Sequence, residues 1–235
     1  MSNHFTKITV LFKKDLKDTI RNINVMILLV IPILFACIYT WMNLGEYTGP
    51  EYVLFISTLM SMCMIPTSFL SMIIAEEKEK NTMRTLMLSN VSSGDFLASK
   101  ALVTYLYMQF VNLAIFFITK QPVGDLPRFL LITTLASICM IAIGALAGLL
   151  SKDQMSTSII TMPFMLLFLM PPIFSMMNDF FKTIAQYVPT NAMMELYFKS
   201  TAQNSTLFNM GVLLTWTVIC IGAFYIFFRK NQVDN

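Results

Sequence analysis

The formal charges of this chain fall in clusters, and six long stretches between the clusters carry none. These stretches cover residues 22–45, 52–75, 101–119, 129–151, 154–178 and 200–228. A helix needs about 20 mostly apolar residues to cross the hydrocarbon core of a bilayer, so each stretch can hold one span. Runs such as 164–170 do not alternate between apolar and polar residues, as a transmembrane β-strand would.

The composition supports the same fold class. Of the 235 residues, 12 % are charged and 56 % are hydrophobic, whereas soluble domains carry roughly 25 % charged residues. This balance excludes a soluble enzyme, a disordered protein and a disulfide scaffold. We therefore predict one all-α membrane domain over residues 1–235 with six transmembrane helices, at about 23–43, 52–75, 100–119, 129–150, 155–177 and 207–228.

The distribution of Lys and Arg predicts the orientation. If the N-terminus is cytoplasmic, twelve of these residues lie in inner segments and four, Lys120, Arg128, Lys182 and Lys199, lie in outer ones. Short inner loops carry the excess of Lys and Arg in membrane proteins, so both termini are predicted to be cytoplasmic. All four cysteines fall within predicted spans and are interpreted as packing residues.

Residues 5–21 are predicted to form an amphipathic helix that lies in the inner membrane interface. Its apolar residues recur every three or four positions, at Phe5, Ile8, Phe12, Leu16 and Ile20. The cations that would anchor it to anionic headgroups are Lys7, Lys13, Lys14, Lys17 and Arg21. A simple positive anchor would explain these charges but not the apolar stripe.

The inner loop 76–99 is the most polar stretch, and it becomes apolar again within a few residues. A short helix is predicted at about 82–88, and Ser92 with Asp95 can cap the start of the third span. The short helix is too apolar to be stable alone in water, which favours a protein partner over a solvated loop. Residues 179–199, interrupted by Pro189, predict two short helices that dip into the outer leaflet or cap the bundle.

The second span carries a stripe of small and hydroxyl residues on one helix face. The stripe consists of Ser57, Ser61, Met64, Ser68 and Ser71. Such a face normally indicates close helix packing, and the alternative is that it lines a passage. Pro66 is expected to bend this helix, and the pair Gly144 and Gly148 predicts close packing of the fourth span.

The residue types and motifs that the sequence lacks limit the functions that this chain can have. No Asp, Glu, Lys or Arg lies within the six charge-free stretches, and the only histidine is His4, which excludes an intramembrane enzyme and a histidine metal site. We also expect no buried carboxylate of the kind that couples transport to protons or sodium. The chain lacks a G-x-x-x-x-G-K-[ST] motif. Energy for uphill transport would therefore come from another polypeptide.

Residues 75–100 carry the pattern that is most specific in the chain. An acidic and basic run leads into Thr82, an apolar segment, Val91 and Ser92, and Lys100 at the opening of the third span. This stretch resembles the ABC-2 type permeases, the membrane subunits of bacterial ABC exporters. Glu79 and Leu86 also match the family pattern, whereas Asn81, Asn90 and Ser99 stand where the family usually has Gly, Pro and Gly.

The resemblance implies that loop 76–99 is a coupling helix seated on a separate ATP-binding subunit. The residues implied in coupling are Glu76, Glu77, Glu79, Thr82, Met83, Leu86, Met87, Val91 and Ser92. Two ATPase subunits, which bind ATP and Mg, would drive two permease copies, as a homodimer or a heterodimer, in the bacterial cell membrane. No cofactor in this chain and no nucleic acid are expected. The expected cargo is amphipathic or hydrophobic: a peptide, toxin, antibiotic or drug-like molecule. The alternative is a non-transporting anchor or regulatory subunit.

Overall fold

The described part of the chain is built from α-helices. A computed structural model describes residues 4–42, 49–82, 85, 88, 91–175, 177–198 and 203–233. The helices are α1 (His4–Arg21), α2 (Ile23–Trp41), α3 (Pro50–Met64), α4 (Ser71–Glu79), α5 (Ser93–Ile118), α6 (Leu126–Leu150), α7 (Thr157–Phe174), α8 (Asp179–Ala185), α9 (Pro189–Phe198) and α10 (Gln203–Val233). A π-helical segment, Ile65–Leu70, joins α3 to α4, and a 3-10 turn, Val123–Asp125, precedes α6. No β-strand occurs in these ranges, so the all-α prediction is confirmed there.

Five continuous helical segments are long and apolar enough to cross a membrane. They are Pro50–Glu79, Gly94–Ile118, Val123–Leu150, Thr157–Phe174 and Ser205–Phe228. The segments of α1 and α2 pass the same test together, but they meet at an angle of 69°. The described chain is therefore a multi-pass membrane protein with five spans, or six when the bent pair supplies one.

The corner between α1 and α2 sits at Asn22, where the helical backbone is interrupted. On α1 the buried positions are Leu11, Asp15 and Thr19, each four residues from the next, and this face packs towards α5. Ile20, part of the predicted apolar stripe, is 58 % exposed. The face of α1 that contacts the bundle is thus offset from that stripe and contains a carboxylate.

Two spans form the centre of the bundle and three surround it. In an apolar stretch of 18 residues within each span, 78 % of the residues are buried in Pro50–Glu79 and 67 % in Val123–Leu150. The corresponding shares in the other three spans are 39 %, 28 % and 22 %. The peripheral helices direct large apolar residues outward, including Ile159 and Val218. Such faces suit contact with lipid or with another membrane-embedded subunit.

The two central spans approach each other closely at glycines of α6. An ideal Cβ on Gly144 would overlap the carbonyl oxygen of Pro66, and one on Gly148 would lie 2.9 Å from Cα of Ser71. Ser71 Oγ donates a hydrogen bond to the Gly144 carbonyl at 2.8 Å. The predicted close packing at these glycines is confirmed. Pro66 lies in the π-helical segment, because proline has no amide hydrogen for a regular helical bond.

The two short helices α8 and α9 follow α7. Asn178 caps α8 by accepting a hydrogen bond from the Phe180 amide at 2.9 Å, and Pro189 is the first residue of α9, a position that proline favours. Thr190 Oγ1 donates to the Phe168 carbonyl at 2.5 Å, which attaches α9 to α7. The helix α8 packs against α7, and α9 packs mainly against α10 and α6, with further contacts to α7 and α3.

Candidate functional site

The charged loop that follows the second span begins with a helix end built around asparagine. α4 ends at Glu79, and Asn81 adopts a left-handed conformation with φ 56°. Asparagine tolerates this conformation better than most residues do. Thr82 Oγ1 donates to the Glu77 carbonyl at 3.1 Å. The chain thus leaves the helix along a defined path.

The other end of the loop is fixed by a capping box. The Ser92 hydroxyl accepts a hydrogen bond from the Asp95 amide at 3.1 Å, and the Asp95 carboxylate accepts one from the Ser92 amide at 3.3 Å. The predicted cap of the third span is confirmed. His4 Nδ1 lies 2.9 Å from the same carboxylate, so the start of α1 contacts this cap as well.

Glu77 is the centre of an ion-pair cluster that is buried except for Lys14, whose side chain is 45 % exposed. Its Oε1 lies 2.9 Å from Lys14 Nζ and 3.0 Å from Lys100 Nζ, and Lys100 Nζ lies 3.3 Å from both carboxylate oxygens of Asp15. Lys100 is 1 % exposed, Asp15 4 % and Glu77 6 %. The ammonium of Lys100 also lies 4.9 Å from the centre of the Phe96 ring. We call Lys14, Asp15, Glu77 and Lys100 the ion-pair cluster.

The expectation that the chain buries no carboxylate is wrong, since Asp15 and Glu77 are both buried. Asp15 lies on α1 and Glu77 on α4, and folding brings both of them against Lys100 of α5. Lysine ammonium groups bond both oxygens of Asp15 and one of Glu77; Glu77 Oε2 has no hydrogen-bond partner within the described ranges. With two cations and two carboxylates the cluster is balanced in charge, which favours a structural link between helices over an ion-coupling site.

Two neighbours of Glu77 attach α4 to the far end of α6. Lys78 Nζ donates to the carbonyls of Leu149 and Ser151, at 3.0 Å each, where the last carbonyls of α6 lack helical partners. Glu79 Oε2 accepts a hydrogen bond from the Gln154 amide at 3.0 Å. The root of the loop is therefore bound to α1 and α5 on one side and to the α6–α7 connection on the other.

The remaining residues predicted to couple the chain to an ATPase are spread along the loop. Glu76 pairs with Lys80 across one helical turn at 2.5 Å, and this hydrogen bond raises the pKa of Lys80. Val91 is half-buried against the core. Met83, Leu86 and Met87 lie outside the described residues; of the predicted helix at 82–88, the structure describes Thr82, Thr85 and Leu88, and Leu88 is 79 % exposed.

The predicted lysine anchors of α1 occupy different environments. Lys13 and Lys17 are exposed, and Lys7 is half-buried. Lys14 contacts Glu77 and so belongs to the ion-pair cluster. The side chain of Arg21 lies outside the described residues.

The stripe on the second span contacts three other helices within one copy of the chain. Ser61 donates to Asn112 of α5, Ser68 Oγ lies 3.5 Å from Met165 Sδ of α7, and Ser71 bonds to Gly144 of α6. Ser57 Oγ is buried and has no hydrogen-bond partner in the described part of the chain, and Met64 is half-buried. These contacts favour close helix packing as the role of Ser61, Ser68 and Ser71. A role of the stripe in lining a passage stays a prediction.

The sequence gives a partial signal for the cluster. Asp15 is spaced four residues from Leu11 and from Thr19, so one helix face presents an apolar, an acidic and a hydroxyl residue in line. A carboxylate on a face that packs against the protein needs a buried partner. Lys100, near the start of the span Gly94–Ile118, is the residue that supplies it.

A protein-family comparison agrees with this architecture. Residues 45–228 match the family model described as ABC-2 family transporter protein. No curated protein matches the chain. The matched segment includes the second span, the charged loop, Glu77 and Lys100, and it covers well over half of the 235 residues. The chain therefore belongs to the ABC-2 transporter family.

Proposed function

We propose that this protein is the permease subunit of an ATP-driven exporter in a bacterial cell membrane, with both termini cytoplasmic. A separate ATP-binding subunit, present in two copies, hydrolyses ATP, and two permease copies form the passage. The observation that carries the proposal is the ion-pair cluster at the root of the charged loop. It joins the loop to three helices at the place where a partner's movement would enter the membrane domain.

The loop can pass a displacement to two spans because both of its ends are fixed. The Thr82 bond to Glu77 holds its start against α4, and the Ser92 capping box holds its end on α5. A partner that binds between these points would displace α4 and α5 at the same time.

The ion-pair cluster extends this displacement to α1. Lys100 of α5 contacts Asp15 of α1 and Glu77 of α4. Separating any of these helices would leave a charge buried without its partner, at a cost of about 3–5 kcal/mol. The three helices therefore move as one unit.

The π-helical segment Ile65–Leu70 offers a place where the second span can change shape. It lies between α3 and α4, and its Pro66 carbonyl lies against Gly144 of α6. Interrupted helices of this kind occur often at functional sites. Movement of α4 would reach α3 and α6 through this contact.

An amphipathic or hydrophobic cargo, such as a peptide, toxin, antibiotic or drug-like molecule, suits a domain whose central spans carry hydroxyl and apolar side chains. The ionised groups at their loop end are engaged with one another in the ion-pair cluster. Small hydrated ions require charged or densely polar ligands along their path.

The test is co-purification and turnover with the partner ATPase. Leu86→Asp with Met87→Asp places two charges on the predicted docking face, and Val123→Asp, at an exposed residue of the 3-10 turn at the other end of the bundle, is the control. We expect the double variant to lose ATPase association and ATP turnover in proteoliposomes, and the control to keep both. Unchanged association in the double variant would overturn the coupling assignment.

Direction and role are tested in inside-out vesicles. ATP-dependent accumulation of substrate in the vesicles is expected for an exporter. ATP hydrolysis that this chain stimulates without any transport would instead favour the alternative role, a regulatory or anchoring subunit.

A further inference from the structure

A cavity of about 740 Å³ opens at the end of the bundle opposite the ion-pair cluster. Four elements line it: the first two turns of α3, the end of α7, and the helices α8 and α9. Its volume falls in the range of roughly 300–1,000 Å³ that is typical of sites for drug-sized molecules. In the proposed orientation it faces the outside of the cell.

The cavity wall is acidic. Glu51, Asp179 and Glu195 line it, against a single cation, Lys182. Within the described residues, no lysine, arginine or histidine lies within 4.0 Å of the carboxylates of Glu51 or Asp179. Both side chains are exposed. The cavity therefore presents negative charge that the described chain does not neutralise.

Glu195 is held in place rather than free. Asn209 Nδ2 of α10 donates to Glu195 Oε2 at 3.2 Å, and the residue is half-buried. A carboxylate whose position is fixed by a neighbouring amide is organised in advance for a ligand, because less side-chain freedom is lost on binding.

Asn191 adds a polar amide to the cavity wall. It lines the cavity and is only 9 % exposed. This amide supplies a donor and an acceptor at the wall of the cavity.

Aromatic rings form the apolar part of the wall. Tyr52 and Phe55 are stacked with ring centres 6.3 Å apart, and Phe198 lies 6.4 Å from Phe55 at an angle of 58°. The faces of such rings attract organic cations, and their carbon surface holds an apolar body. Carboxylates beside aromatic rings are a combination that selects a cation with apolar substituents over an inorganic ion.

We propose that the cavity between α3, α7, α8 and α9 is a binding site for amphipathic organic cations of drug size. Glu51, Asp179 and Glu195 attract the positive charge, the three rings cover the apolar body, and Asn191 bonds to a polar group of the ligand. The binding of organic cations to this cavity does not depend on the proposed export function. The inference that such cations are the transported cargo rests on that function.

The test compares two ions of the same shape and opposite charge, tetraphenylphosphonium and tetraphenylborate. The full chain is purified in phosphatidylcholine nanodiscs without ATPase or nucleotide, and binding is measured by equilibrium dialysis against empty nanodiscs. We expect saturable binding of tetraphenylphosphonium and none of tetraphenylborate. Equal binding of both ions, or no saturable binding of the cation, would overturn the site.

Matched variants locate the binding. Glu51→Gln with Asp179→Asn is expected to weaken cation binding about tenfold, and Asp125→Asn, an exposed carboxylate outside the cavity, to leave it unchanged. Phe198→Leu should weaken it about threefold through loss of one ring, while Phe180→Leu, exposed and outside the lining, should not. Wild-type affinity in the double variant would contradict the proposal.

The outcomes separate this site from the export function. Failure of cation binding together with intact ATPase coupling removes the site and leaves the exporter. Cation binding by a chain that neither associates with the ATPase nor transports any substrate into inside-out vesicles supports the site and contradicts the exporter.

Discussion

The two ends of the bundle use the same kinds of charged side chain in opposite ways. At the loop end, Asp15 and Glu77 are buried and bonded to lysine ammonium groups. At the α8–α9 end, Glu51 and Asp179 are exposed beside a cavity, and no cation of the described chain pairs with them. The first arrangement fixes helices to one another, and the second leaves charge available to a ligand.

Burial decides between these two roles. A carboxylate that has lost its water needs its partner, so the helices that carry the two groups are held together. A carboxylate that keeps its water contributes little to stability and can exchange that water for a ligand. The comparison predicts that variants at the loop end change stability and coupling, and that variants at the cavity end change binding.

The largest effect is expected for Lys100→Met. Removing this ammonium leaves Asp15 buried without the cation that bonds both of its oxygens, and it takes one of two cations from Glu77. We expect a loss of about 3–5 kcal/mol, measured as unfolding in detergent. Lys182→Met at the cavity end should stay within about 0.5 kcal/mol of the wild type.

A double variant tests whether the loss of stability in Lys100→Met comes from an unpaired buried charge. Adding Asp15→Asn to Lys100→Met removes a carboxylate together with the cation, and stability should recover in part. Equal losses for Lys100→Met and Lys182→Met would erase the difference between the two ends.

Gly144→Ala tests whether the tight packing at the loop end continues along the two central spans. The new methyl group would meet the Pro66 carbonyl, a backbone atom that cannot turn aside. We expect a loss of about 1–3 kcal/mol in thermal unfolding. Gly222→Ala is the control, since its Cβ meets nothing within 4 Å, and helix propensity predicts a gain of up to about 1 kcal/mol. A neutral Gly144→Ala would place a looser contact there.

The smallest stability effects are expected at the two helix caps. Ser92→Ala removes the cap that holds the loop on α5 and should cost about 1 kcal/mol. Asn178→Ala removes the cap of α8, an exposed helix of seven residues, so global unfolding should change less. Chemical denaturation of both variants checks the order, and a larger loss for Asn178→Ala would reverse it.

Much of the fold could be predicted from sequence, because charge spacing and helix breakers are local signals. The capping pair Ser92 and Asp95, the two short helices around Pro189 and the packing at Gly144 all follow from neighbouring residues. The offset face of α1 does not, because which side of a helix is buried depends on its neighbours.

The two candidate sites depend on contacts between distant parts of the chain. Asp15 and Lys100 are 85 residues apart, and the residues of the cavity come from four separate elements. The positions of the charged residues in the sequence place them in loops and at membrane interfaces. Only the packing of α1 against α5 buries Asp15 beside Lys100.

We propose that the ion-pair cluster transmits the action of the ATPase, and Lys14→Met removes one link of that cluster. Lys14 links α1 to Glu77, and Lys100 still pairs with Glu77 in this variant, so the fold is expected to persist. Lys13→Met, one residue away and exposed, is the control. The measurement is substrate-stimulated ATP turnover by the reconstituted complex. We expect Lys14→Met to lower the stimulated turnover about fivefold. The basal rate of this variant and both rates of Lys13→Met should stay at wild-type levels. Equal stimulation in the two variants would contradict the proposal.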